Sequence, residues 1–169
     1  VVPSFRWLTP LVDLVPADEL EEFVHVGYTI GGMMVFPANR VRGRMTINGA
    51  RGFHPSIKDR FDLTIECIRL HYLGKPSPLG DALGRYDDFF GLFDDFPGYV
   101  DFFHLQDLVN EADTTVRFFM PFHDFAMSPL PGSVDAYADY RRRAVEFISS
   151  RNRRIAILGR SQASSDSAA

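Results

Sequence analysis

Asp62 and Glu66 stand four residues apart, which puts both carboxylates on one side of a helix. Such a pair can act as general acid and base, and these two are the catalytic candidates. Around them lie groups suited to holding an anion. Arg51 and Arg60 can each offer a planar guanidinium fork to a phosphate or carboxylate. Asn39, Arg40, Asn48, His54, Asp59 and Arg69 complete the ligand-binding candidates, with Arg42 and Arg44 in the same arginine-rich loop. The Asn48-Gly49 pair would let the backbone approach a ligand closely. An opposing reading uses the same residues: Asp62, Glu66 and Arg69 pair with basic residues inside the protein and fix its packing.

Known chemical signatures are missing. The sequence contains no GxxxxGK[ST] phosphate loop, no GxGxxG dinucleotide fingerprint, no GxSxG elbow and no HExxH. Two carboxylates are too few for a metal site unless Asp59, or one of Asp87, Asp88, Asp94 and Asp95, joins them. Any metal would then be an oxygen-ligated ion such as magnesium rather than zinc, and no metal ligand is assigned. His123-Asp124 is an orienting pair only if the two side chains converge. His25, His71 and His104 fall on expected helices without metal spacing. Cys67 is the single cysteine, which excludes an intramolecular disulfide and reads as a small core residue.

The element that must position these groups is an expected helix over 55–73, the most buried of the chain. Ile57, Phe61, Ile65, Ile68 and Tyr72 form one apolar stripe, with Leu63 and Leu70 roughly opposite. Asp59, Asp62, Glu66 and Arg69 line one narrow polar ridge, and Arg60, Thr64, Cys67 and His71 the other. Pro55 suits its first turn and Gly74 its end. The residues 48–55 before it read as a loop, preceded by a small β-hairpin of Met33–Phe36 and Arg44–Ile47.

Elsewhere the pattern predicts a helix from Pro16 to about Tyr28, with Leu20, Phe23, Val24 and Tyr28 inward and Gly31-Gly32 breaking it. Ser77-Pro78 opens another, burying Leu79, Leu83, Tyr86, Phe89, Phe90 and Phe93. Asp95 and Pro97 open a fourth, with Tyr99, Phe102, Phe103, Leu105 and Val109 inward. Val116–Met120 reads as a strand joining the hairpin. Ser133 caps a last helix to about Leu158, packing Tyr137, Tyr140, Ala144, Phe147 and Ile148. The whole is a mainly α, α+β chain of about five helices with a small hairpin or sheet. Residues 1–15 read as irregular and truncated, 16–159 as one globular domain, and 160–169 as a disordered tail.

Composition narrows the function classes. At 169 residues and 46% hydrophobic, with 16 Phe, the chain can bury a substantial core. The formal net charge of −4 argues against general nucleic-acid binding. Acids dominate between Asp81 and Asp113, while bases dominate in 40–60 and 141–160. Arg141, Arg142, Arg143, Arg151, Arg153 and Arg154 make the last helix basic, a surface for a nucleic acid or an acidic protein, or a solvated face. No apolar run approaches a membrane span and no signal peptide opens the chain, so a cytoplasmic bacterial protein is expected, with no membrane partner.

The run FPANR…TINGARGFHPSIKDRFDLTIECIRLHYLG, with SPLGDALGRYDDFF, DFPGYVDFFHLQDLV and RFFMPFHDF, resembles a family of uncharacterised bacterial proteins. The resemblance, to a domain of unknown function found in actinobacteria and firmicutes, covers residues 28–154. It implies that the segments holding Asn39, Arg40, Asn48, Arg51, Asp59, Arg60, Asp62, Glu66 and Arg69 are the family's signature. Members carry a longer N-terminal segment, from which residues 1–15 depart. Two functions follow from the residues. One is a site between loop 39–54 and helix 55–73 for a phosphorylated or nucleotide-like ligand, with acid/base catalysis in reach. The other is a non-enzymatic interaction module, as in a stress or phage-response system, using the basic last helix.

Overall fold

The structure, a computed structural model, describes residues 5–110, 112 and 114–166, with side chains from 8 to 160 within those limits. It is mainly helical. The helices are α1 (Phe5–Val12), α2 (Ala17–Gly27), α3 (Ile47–Phe53), α4 (Phe61–Tyr72), α5 (Gly80–Leu83), α6 (Asp87–Phe90), α7 (Phe96–Phe102) and α8 (Val134–Asp166). Short 3₁₀ turns at 30–32, 84–86, 91–93 and 106–108 link them.

Two helices organise the core. In α4 every residue from Phe61 to Ile68 is buried, as the pair of apolar faces requires. Along α8, Tyr137, Tyr140, Arg141, Ala144, Phe147, Ile148 and Arg151 are buried at helical spacing, forming one stripe against the rest of the chain. Ser133 caps α8 as expected, its Oγ accepting from the Ala136 N–H at 3.2 Å. Asp95 likewise caps α7 through the Gly98 N–H at 2.8 Å. Between the two helices, Phe61 meets Phe147 at 5.0 Å and Phe119 meets Phe147 at 5.8 Å between ring centroids. A second aromatic group, Tyr72, Phe90, Phe93, Tyr99 and Phe103, packs with ring centroids 4.7–6.2 Å apart at the end of α4.

Several expectations are corrected. The hairpin does not form, and among the described residues no strand is present, only an isolated antiparallel bridge between Val109 and Val116. The turn of the expected hairpin does exist. Arg44 N–H donates to the Val41 carbonyl at 3.0 Å, with Arg42 and Gly43 at φ +52° and +68°, the pattern of a type I′ turn. The would-be second strand is captured by helix formation instead. Thr46 Oγ1 accepts from the Gly49 N–H at 3.3 Å and starts α3, so Asn48-Gly49 lies in a first helical turn, not a loop.

Helix α4 begins at Phe61 rather than at Pro55. Lys58 and Asp59 adopt φ +47° and +64°, and the Asp59 N–H donates to the Arg51 carbonyl, folding the chain back on α3. Asp59 is therefore not on the α4 ridge, although Ile57 is still fully buried. The 77–93 helix is broken into α5, α6 and 3₁₀ turns, and Phe102 points out, 63% exposed. Tyr28, expected inward, is 76% exposed. The first segment contains α1 rather than irregular chain, residues 1–4 lying outside the described part. At the other end α8 runs past Leu158 to Asp166, and residues 167–169 of the expected tail lie outside the described part.

Close approach explains one glycine. A Cβ at Gly31 would collide with the Ile148 carbonyl oxygen and lie 2.8 Å from Asn152 Oδ1. That oxygen already accepts from the Gly31 N–H at 2.7 Å, and the Gly31 carbonyl accepts from Arg151. Gly31→Ala is therefore expected to lower unfolding free energy by about 1–3 kcal/mol, through overpacking and displaced hydrogen bonds. Urea denaturation of the two proteins checks this, an unchanged midpoint being the contrary result.

Candidate functional site

The loop from α3 to α4 is built around Arg51. Its guanidinium meets Asp59 Oδ1 at 2.6 Å and donates to the Asp59 carbonyl at 3.1 Å and to Thr64 Oγ1 at 3.2 Å. Burial pushes the Arg51 pKa down, and the Asp59 charge opposes that shift. Arg51 is 6% exposed, so its fork is directed into the protein. His54 ends α3, and its Nδ1 accepts from the Ser56 N–H at 3.2 Å. Desolvation lowers the His54 pKa, in keeping with a neutral ring accepting that bond.

Arg60 and Asp62 form the most enclosed charge pair, at 1% and 0% side-chain exposure. Arg60 grips Asp62 through Nε, at 3.0 Å to Oδ1, and again through Nη2 to Oδ2. Arg60 also donates to the Pro129 carbonyl at 3.2 Å and to Met120 Sδ at 3.8 Å, and lies 5.9 Å from the Tyr140 ring centroid. Asp62 Oδ2 accepts the Phe119 N–H at 2.9 Å. One turn on, Glu66 and Arg69 pair through both oxygens at 2.8 and 2.7 Å, and Arg69 reaches the Thr114 carbonyl at 3.3 Å. The Glu66 hydrogen bond raises the Arg69 pKa.

The remaining candidates are on the surface. Asn39, Arg40, Arg42, Arg44 and Asn48 are exposed. Their loop is fixed at both ends, because Tyr86 OH donates to the Asn39 carbonyl at 2.8 Å and Arg85 donates to the Met45 carbonyl at 2.7 Å. Among the described residues, Arg40, Arg42 and Arg44 make no side-chain ion pair. Sequence reasoning missed Arg85 and Tyr86 as anchors, since their link to the loop crosses 40 or more residues.

The structure thus sorts the candidates into two groups. Arg51, Asp59, Arg60 and Asp62 are joined through Thr64 in an internal network, Glu66 and Arg69 form a separate pair beside it, His54 is tied to Ser56, and Asn39, Arg40 and Asn48 stand outside these contacts. Asp87 is drawn to His71, at 3.3 Å, rather than to Asp62 and Glu66. No group of three or more His, Cys, Asp or Glu side chains gathers as metal ligands among the described residues. Cys67 is fully buried and burial pushes its thiol up to about 12.

Several of the arginines of α8 are also occupied. Arg141 meets Glu19 at 2.7 Å, Arg142 meets Asp139 at 3.3 Å and Arg154 meets Asp107 at 3.0 Å. Arg151 donates to the carbonyls of Phe103, Gly31 and Met33 at 2.8–3.0 Å, and burial lowers its pKa to about 10. No described helix is long and apolar enough to cross a membrane. Clefts open along α2 (about 700 Å³), between α2 and α8 (about 510 Å³), and along α8 (about 340 and 620 Å³). None of these four is lined by a residue from 39 to 73.

Comparison with known proteins identifies the lineage but no activity. The model of a family described as "Family of unknown function (DUF6994)" matches residues 2–155, and the chain belongs to that family. No curated protein and no solved structure matches it.

Two measurements follow from the network. Asp62→Asn leaves the Arg60 guanidinium buried without its counter-charge and is expected to cost about 3–5 kcal/mol, whereas the double variant Arg60→Met/Asp62→Leu recovers part of that loss, the Phe119 N–H and the Pro129 carbonyl losing these partners. Urea unfolding of the three proteins compares them, and a single variant as stable as wild type would remove the pair from this role. For His54, a folded pKa below the ordinary 6.5 means that the unfolded chain binds the extra proton first. Its contribution is therefore complete above pH 6.5 and is lost as pH falls through the folded value. His54→Gln should flatten that part of the stability–pH curve.

Proposed function

We propose that this family member is an anion-recognising domain that takes a phosphorylated or nucleotide-like ligand against the 39–46 loop and the start of α3. Arg40, Arg42 and Arg44 supply the guanidinium contacts, with Asn39 and Asn48 beside them. One observation carries the reading: a loop pinned at Asn39 and Met45 presents three exposed arginines that have no counter-ion among the described residues, in a chain of net charge −4. Arg42 sharpens it. At φ +52° an L side chain costs about 1 kcal/mol relative to glycine, and Asn or Gly would sit there at ease. Local cost of this kind concentrates where a side chain is kept for its contacts.

Arg51, Arg60, Asp62, Glu66 and Arg69 then serve as scaffold for the loop and its neighbours. Asp62 has no exposure and both of its oxygens are engaged, so acid/base chemistry at Asp62 is not part of the reading. An interaction surface on α8 finds less support, because Arg141, Arg142, Arg151 and Arg154 already have partners within the protein.

Thermal-shift titration with pyrophosphate and a nucleoside diphosphate tests the proposal, since a ligand bound only to the folded state raises the melting temperature. Arg42→Gly should keep or raise the stability of the free protein while weakening binding about tenfold or more. An equal shift in wild type and variant, or none in either, overturns the assignment. Arg51→Ala, by contrast, should destabilise the fold by about 3 kcal/mol even without ligand, because the buried contacts of its guanidinium with Asp59 and Thr64 are lost.

A further inference from the structure

The wall opposite α8 suggests a second site. Arg117 and Phe119 belong to the segment after the Val109–Val116 bridge, and both of their backbone N–H groups are fixed. The Arg117 N–H donates to the Leu108 carbonyl at 2.8 Å, and the Phe119 N–H to Asp62 Oδ2 at 2.9 Å. This double attachment holds the segment against α8 and leaves a cleft of about 340 Å³ between them. Phe119 and Phe147, each 4% exposed, form its apolar floor with Leu108. Arg117 stands on one wall and Arg143 on the other, both exposed and neither in a side-chain ion pair with a described residue.

We infer that this cleft binds a small organic anion with an apolar body, held by Arg117 and Arg143 over the Phe119–Phe147 floor. The volume is that of a small-molecule pocket, and a few convergent polar groups over aromatic rings are its usual lining. Two acids share the cleft, and they set the charge of the ligand. Asp107 is already neutralised by Arg154 at 3.0 Å, while Glu146 is exposed and faces the same space. Two guanidiniums against one carboxylate that has no ion pair with a described residue leave an excess positive charge, which suits a monoanionic or dianionic head and disfavours a polyphosphate. Ser150 adds an O–H donor, its oxygen accepting from Arg153 at 2.9 Å. The site is distinct from the 39–46 loop, and it gives the buried Asp62 a remote part in recognition through the Phe119 N–H.

Calorimetric titration with phenyl phosphate, set against inorganic phosphate and phenol, tests the inference on the full chain. Phenyl phosphate should bind, and the two fragments should bind much more weakly. Arg117→Gln and Arg143→Gln should each weaken it about tenfold, as expected for loss of one charge-assisted contact. Glu146→Gln should tighten it by removing like charge. Arg142→Gln, the same charge change at a side chain occupied by Asp139, should leave it unaltered. All four positions are exposed, so the variants are expected to fold, and a circular-dichroism melt verifies that. The inference is overturned by no binding of phenyl phosphate, by equal binding of inorganic phosphate, or by the same loss in Arg142→Gln as in Arg143→Gln. Binding that falls in an Arg42→Ala protein but not in the Arg117 and Arg143 variants would assign the anion to the loop and overturn it equally.

Discussion

A guanidinium and a carboxylate placed where water does not reach must find all their remaining hydrogen-bond partners in the protein. Arg60 and Asp62 meet that demand by drawing in chain from far away: the Phe119 N–H, Met120 Sδ and the Pro129 carbonyl. Removing two charges from water costs several kcal/mol per ion, so the pair by itself adds little net stability. Its effect is directional. The segment from Val116 to Pro129 has no helix or strand of its own to fix it, and the pair ties it to the start of α4 at three points. Phe119 is thereby set between Tyr140 and Phe147, and the side of α8 is closed.

The same device recurs. Arg51 satisfies the Asp59 carbonyl at the chain reversal before α4, and Arg151 satisfies three carbonyls from the 31–33 and 103 turns. A helical fold with many short turns leaves carbonyls unpaired at each helix end. Five donors in a rigid fork can collect several of them at once, which the three rotatable donors of lysine on a flexible stem do less well. The heavy preference for arginine in this chain therefore has a structural use, whatever its origin. It also separates the arginines by task. Arg51, Arg60 and Arg151, which bond irregular backbone, are buried, and those at 40, 42, 44, 117 and 143 are exposed.

What was legible in the sequence was periodic or local. The two apolar faces of α4, the stripe from Tyr137 to Ile148 and the caps at Asp95 and Ser133 all rest on spacings of a few residues, and the structure reproduces them. Expectations failed where a competing contact decided the matter. Residues 55–60 have helical spacing, yet Arg51 holds Asp59 so that Lys58 and Asp59 turn left-handed. Met33–Phe36 and Arg44–Ile47 have strand character and even a type I′ turn between them, but Thr46 captures the second run into α3. The ridge of Asp62, Glu66 and Arg69 was legible as a place of tension. Whether each charge faced a ligand or another side chain depended on contacts such as Phe119 to Asp62, separated by 57 residues.

This separation bears on how a site should be sought in such a fold. A buried charged residue is conspicuous in sequence because it interrupts an apolar pattern, and the interruption invites a catalytic reading. Here the conspicuous charges are engaged within the protein, while Arg42 and Arg117 lie on its surface. Their meaning comes from backbone that is held in place around them: a turn fixed by Tyr86 and Arg85 in one case, and a segment fixed by Leu108 and Asp62 in the other. A guanidinium on unrestrained chain loses side-chain and backbone freedom when it grips an anion, and that loss opposes binding. Fixing the backbone beforehand removes part of the opposition. The internal ion pairs and the exposed arginines are thus two levels of one arrangement, in which the buried network restrains the chain and the restrained chain presents the charge.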